Sequence, residues 1–342
     1  MGTFSRHNKQ PSTSRSALWT AAKIILAVVL VGIVISQTTL ADLAALINRI
    51  VLPWIPASIF AYWTITVLTA WRYWILVDRK LPLGQAMGLT VVQTVIGNFV
   101  ASSAGAVSYV VLLRGRHQIE LSQGITSLVL ARFGDLLALT VALAASSIVL
   151  WAKIESLHWP VLVLLSALTG VIIALLLVFS FRQPIVVAGA RMLHWCQLDR
   201  FEPLQRLIFQ LETLAAQNPE RLRQKAIPFL GLSFSLMLCS FAFSYSMIHL
   251  FGIPLDTWAI LFSMAIIQLL AVIPIQVFGG LGVYEVTALY LYGLLGVAAP
   301  IVIPLVISSR LYLWVLNLTL LLYLPFESRL VSDEDLQAAQ EI

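Results

Sequence analysis

The stretch FGGLGVYEVTALYLYGLLGV, residues 278–297, sets three closely spaced glycines and a glutamate into an otherwise apolar C-terminal half. Gly279, Gly280 and Gly282 permit backbone angles and close approaches that a side chain would forbid. Glu285 follows at the start of a helical run rich in Leu and Tyr. In a bilayer core, irregular backbone survives where it is buried in protein or lines a wet cavity, and a carboxylate beside it marks a functional site. The competing reading is a helix-breaking loop at the membrane surface with a solvated glutamate.

Composition favours the bilayer. Of 342 residues, 60% are hydrophobic and 11% charged, and the mean hydropathy is +0.92. A soluble domain carries about 25% charged residues. The expected fold is an all-α, polytopic membrane helix bundle of about seven or eight spans. The net charge of +5 comes from basic residues lying between apolar spans, as membrane topology requires, so no nucleic-acid partner is expected. Cys196 and Cys239 show no metal or redox spacing, and His249 has no second ligand at helical spacing. No metal and no cofactor are expected.

Outward from the glycine-rich stretch, the chain divides into a basic tail (1–18), a transmembrane domain (19–325) and an acidic tail (326–342). Arg6, Lys9 and Arg15 before a first span at Trp19 to Ser36 put the N-terminus in the cytoplasm. A second span, Pro53 to Val77, carries Trp54, Trp63, Trp71 and Trp74 and ends in Arg72, Arg79 and Lys80. The next basic cluster, Arg114, Arg116 and His117, should face the same side, which one crossing would forbid. Residues 83–113 therefore read as a re-entrant helical hairpin, with GNFVASSAGAVSY at 97–109 supplying the small residues of its turn; one long tilted helix is the alternative. Further spans are expected at 122–151, 159–181, 228–250, 257–277 and 300–323. Residues 281–297 either cross or re-enter, which decides the side of the C-terminus. Between 183 and 227 lies a basic loop with an amphipathic helix whose apolar positions include Phe201, Leu204, Leu207, Ile208 and Leu211. It suits the cytoplasmic membrane surface or the docking of a partner.

Arg132 and Asp135, three positions apart on one helix face, form either a self-neutralising ion pair or a site for a charged headgroup. Arg310 lies inside the last span. GAVSYVVLLRG (105–115) and LGVYEVTALYLYG (281–293) both set a small-residue turn before an aliphatic half-helix, a weak sign of an inverted repeat. Paired broken helices are how many transporters build a midplane site, with half-helix N-termini facing an anion. Gln93, Gln268, Gln276 and Asn317 either line a cavity or bond between helices.

The segment GGLGVYE (279–285), the span containing ARFGDLLAL (131–139) and the last span with Arg310 resemble the lysylphosphatidylglycerol synthase transmembrane region, or flippase-like, family. The resemblance covers about residues 19–325. It implies a bundle with re-entrant segments that moves lipids or lipid-linked molecules between leaflets of a prokaryotic inner membrane. It carries Arg132, Asp135, Gly279, Gly280, Gly282, Glu285 and Arg310 over as substrate-binding residues. Phe278 stands where the family usually has Pro, and Ser108 and Tyr109 stand where its first hairpin often carries charge. The chain reads as a stand-alone member without the aminoacyl-transferring domain. No G-x-x-x-x-G-K-[ST] loop and no catalytic constellation is present, so the expectation is a translocator rather than an enzyme, with membrane lipids as partners. The alternatives are a subunit or embedded enzyme of a glycolipid or terpenoid-lipid pathway, and a scaffold docking a cytoplasmic partner through 183–227.

Overall fold

A computed structural model describes residues 50–181, 219–270 and 283–325. The first span, both tails, most of the amphipathic loop and the glycines at 279, 280 and 282 lie outside these residues. Among the described residues there are nine α-helices and no strand. They are α1 (Trp54–Leu76), α2 (Leu83–Phe99), α3 (Ser102–His117), α4 (Leu121–Val149), α5 (His158–Phe181), α6 (Pro219–Leu250), α7 (Thr257–Leu270), α8 (Val283–Leu294) and α9 (Ala299–Leu321). Among the described residues four helical stretches are long and apolar enough to cross a membrane: Leu121–Val149, Glu155–Leu177, Ile227–Leu250 and Pro300–Leu321. The chain is a multi-pass membrane protein. Helix α1 matches them in length at 23 residues, but its Trp, Tyr and Thr side chains temper its apolarity.

Hydrogen bonds define the two ends of the bundle. At one end the α1–α2 turn, with Asp78 and Arg79 at positive φ, docks on the start of α4. Lys80 Nζ donates to Gln123 Oε1 at 2.7 Å, and Gln123 Nε2 donates to Asp78 Oδ2 at 3.0 Å. Tyr323, just after α9, donates to the Gly84 carbonyl at 3.2 Å, so α9 finishes here too. At the other end the Val51 N–H donates to the Leu250 carbonyl at 2.9 Å, and Trp54 stacks on His249. Helices α1 and α6 therefore run antiparallel along a long shared face. Helix α7 starts at this second end, and α8 leads back to the start of α9 through Gly296, whose φ of +92° favours glycine.

The stretch read as a hairpin is two helices, α2 and α3, joined through Val100 and Ala101. Gly105 makes their contact: a Cβ there would lie 2.5 Å from the Gln93 carbonyl oxygen and 2.9 Å from Gly97 Cα. The helices approach backbone to backbone, as small residues allow in membranes. Their joined end is held by a buried triad: Tyr62 Oη donates to Asn317 Oδ1 at 3.0 Å, and Asn98 Nδ2 donates to Asn317 Oδ1 at 3.0 Å and to Tyr62 Oη at 3.1 Å. Asn317 thus ties α9 to α1 and α2 as an interhelical bond. The span expected at 228–250 coincides with the apolar stretch Ile227–Leu250, while the helix that carries it starts earlier, at Pro219, and contains Pro228.

The apolar core has two main parts. One, around Leu143, Ile154, Leu250, Ile260, Phe262 and Leu305, fills the end where α6, α7 and α9 meet. The other, around Tyr73, Val77, Tyr109, Leu113 and Ala131, fills the end formed by α1, α2, α3 and α4. The candidate site lies between these ends.

Candidate functional site

Arg72 lies on α1, about one turn before its end, and is 4% exposed. An isolated cation in such a place would be prohibitive, so its partner decides the local structure. That partner is Asp135 of α4. Arg72 Nη1 bonds Asp135 Oδ1, and Nη2 donates to Oδ2 at 3.3 Å, which is the bidentate fork of an arginine–carboxylate pair. Nη1 also reaches Ser233 Oγ of α6 at 3.3 Å, so three helices meet on one guanidinium. Gly134 makes this possible, because a Cβ there would collide with Ser233 Oγ and lie 2.6 Å from Phe229 Cζ.

The pairing differs from the one expected within α4. Asp135 is engaged by Arg72 rather than by Arg132. Helical spacing places Arg132 and Asp135 on neighbouring positions, but the carboxylate is already held in a better geometry by the fork from α1. Arg132 is exposed, and among the described residues no hydrogen bond or ion pair reaches it. It sits eleven residues into α4, about 17 Å from the helix start. It lines a cavity of about 480 Å³ with Asp135 and Ser233, walled by α5 through Val171 and Leu175 and bounded by Gln268 of α7.

A second ion pair joins α8 to α9. Glu285 is in the first turn of α8, where the N-terminal dipole favours a carboxylate, and is 5% exposed. Arg310 of α9 meets its Oε1 from Nη2 at 3.1 Å and from Nε at 3.2 Å. The Tyr284 ring lies 4.8 Å from the guanidinium carbon and adds a cation–π face. Arg310 and Tyr284 line a cavity of about 280 Å³, together with Asn98 at the hairpin end, Ser309 and Gln268.

The fold therefore brings Glu285 to Arg310 and leaves Arg132 facing a cavity, while Gly279, Gly280 and Gly282 lie outside the described residues. Sequence reasoning grouped Arg72 with the basic residues that mark topology. The signal that could have separated it was its position among Trp71, Tyr73 and Trp74, inside the apolar run and ahead of the Asp78–Lys80 turn. Of the polar residues read as either cavity lining or interhelical bonds, Gln268 lines both cavities, whereas Gln93 donates to Tyr73 Oη at 3.1 Å. Gln276 lies outside the described residues.

An all-α bundle with two interhelical ion pairs, each beside a cavity, defines a polytopic membrane protein with charge among its helices. The lysylphosphatidylglycerol synthase TM region family matches residues 20–320, and the chain belongs to that family. No curated protein matches the chain, and neither does any solved structure. Family membership associates the chain with lipid modification or translocation at a membrane.

Proposed function

We propose that this protein is a non-enzymatic translocator that moves lipids or lipid-linked molecules between the leaflets of a prokaryotic cytoplasmic membrane. The observation that carries the reading is Arg132: a cation without a protein partner among the described residues, at membrane depth, facing a cavity large enough for a headgroup. A charge in that position is costly unless a ligand or water engages it, and a phosphate is the complementary group. The apolar walls of the cavity, including Val171 and Leu175 of α5, suit acyl or prenyl tails beside the headgroup.

In this reading α2 and α3 form a re-entrant hairpin, and α7 and α8 form a second broken element. Arg79, Lys80, Arg114 and Arg116 gather at the end where α1 turns into α2 and where α3 gives way to α4, which supports reading that end, beside which α9 finishes, as the cytoplasmic one. The N-terminus faces the cytoplasm. The Glu285–Arg310 pair acts as a latch: protonation of Glu285, or a competing headgroup, releases Arg310 towards the second cavity. Membrane lipids with a phosphate-bearing headgroup are the partners, and residues 183–227 offer a surface for a cytoplasmic or membrane protein.

The test is movement of fluorescent phosphatidylglycerol across vesicles reconstituted with the purified protein. Wild type should accelerate movement at least tenfold over protein-free vesicles, and Glu285→Gln should lose most of that gain. Movement no faster than in protein-free vesicles, for anionic and zwitterionic probes alike, would count against translocation.

A further inference from the structure

We infer that the two cavities are successive chambers of one headgroup path, and that Gln268 of α7 is the neck between them. The inference rests on the translocator reading and adds its route. Two observations place the neck. First, Gln268 lines both cavities, the one containing Arg132 and the one containing Arg310. Second, α6 walls both in sequence: Ser233, Met237 and Ser240 face the first chamber, and Phe243, Ser244 and Met247 face the second. Ser240 and Phe243 are three residues apart, about 4.5 Å along the helix axis. The chambers abut, staggered along α6 from the Ser233 side towards the end at Leu250, which is the direction a headgroup must travel to change leaflets.

The neck has the chemistry such a step needs. Gln268 is half-buried, and among the described residues no hydrogen bond occupies its amide. Its NH2 can donate to a phosphate oxygen leaving Arg132, and its carbonyl can accept from a headgroup hydroxyl or ammonium. Ser240 and Ser244 offer hydroxyls on either side of it. A neutral amide suits a neck better than a cation, since a second fixed positive charge would hold the anion rather than pass it.

Two readouts test the path, one of them independent of transport. In reconstituted vesicles, Gln268→Trp should slow phosphatidylglycerol movement at least tenfold. Gln268→Leu, which keeps the volume and removes the amide, should slow it about threefold and serves if the tryptophan variant does not fold. Movement at the wild-type rate in both variants overturns the inference. The second readout uses the full chain with Cys196→Ala and Cys239→Ala, with one cysteine restored as Ser240→Cys or Ser244→Cys. A charged methanethiosulfonate is added from the cytoplasmic side. Ser240→Cys should label whatever stands at position 268. Ser244→Cys should label when Gln268 is present and be at least tenfold slower when combined with Gln268→Trp. Equal labelling of Ser244→Cys in both backgrounds, or none in either, overturns the neck. If wild type moves no lipid, the translocator reading fails, and the labelling alone decides the route.

Discussion

The two buried ion pairs are built alike and do different work. Each joins an arginine on one helix to a carboxylate on another, and each lies beside a cavity. Around Arg72 and Asp135 the arithmetic leaves one charge over, because Arg132 shares the cavity and has no protein partner among the described residues. Around Glu285 and Arg310 the carboxylate and the guanidinium hold each other. The first region is therefore a neutral structural clamp with a spare cation beside it. The second is a pair whose own members must part before either meets a ligand. A count of intramembrane charges would miss this distinction, which depends on which arginine holds which carboxylate.

The largest effects should come from breaking the clamp. Arg72→Ala strands the Asp135 carboxylate and should cost about 3–5 kcal/mol, read as a large drop in thermal stability in detergent or as loss of folded protein. The pair Arg72→Met with Asp135→Leu should recover most of that loss, because two apolar side chains of similar size replace the buried charges. If the single variant were as stable as the double, the clamp would be no clamp.

A smaller effect should follow from moving one wall of the first cavity. Gly105→Ala drives a methyl into the Gln93 carbonyl and Gly97 and should cost about 1–3 kcal/mol by overpacking. Because Ala106 beside it faces the Arg132 cavity, the variant should alter lipid movement without touching the Glu285–Arg310 pair. Thermal unfolding and transport measured together would show whether the two regions respond separately.

Smaller again is the loss at the hairpin end. Asn317→Leu removes the acceptor shared by Tyr62 and Asn98 and should cost about 0.6–1.7 kcal/mol, the usual worth of such bonds in membranes. A double-mutant cycle with Asn98→Ala should show coupling of the same order. Additivity would mean that the hairpin is held by packing alone.

Much of the bundle could be read from the chain. The helix over 54–76 and the paired helices over 83–117 follow from apolar runs, small residues and the placement of basic clusters. Glu285 and Arg310 stood out because a charge within an apolar run is visible locally. Their pairing did not, because sequence gives the face of one helix and not the neighbour it meets. Asp135 shows the same limit: three positions from Arg132 in sequence, it is held by Arg72 from 63 residues away. Arg72 was hidden by company, since Arg79 and Lys80 nearby do lie in the turn. The amides divided by environment: Asn317 is fully buried in a triad, whereas Gln268 stands between cavities. Period and composition cannot separate those two fates.

The most direct measurement compares phosphatidylglycerol movement by wild type, Arg132→Lys and Arg132→Ala in the same vesicles, alongside their thermal stability. Because Arg132 is exposed and has no protein partner among the described residues, Arg132→Ala should leave stability within about 0.5 kcal/mol of wild type. It should still lower transport at least tenfold, with Arg132→Lys retaining most of the rate. Transport by Arg132→Ala at the wild-type rate, in protein of unchanged stability, would contradict the account.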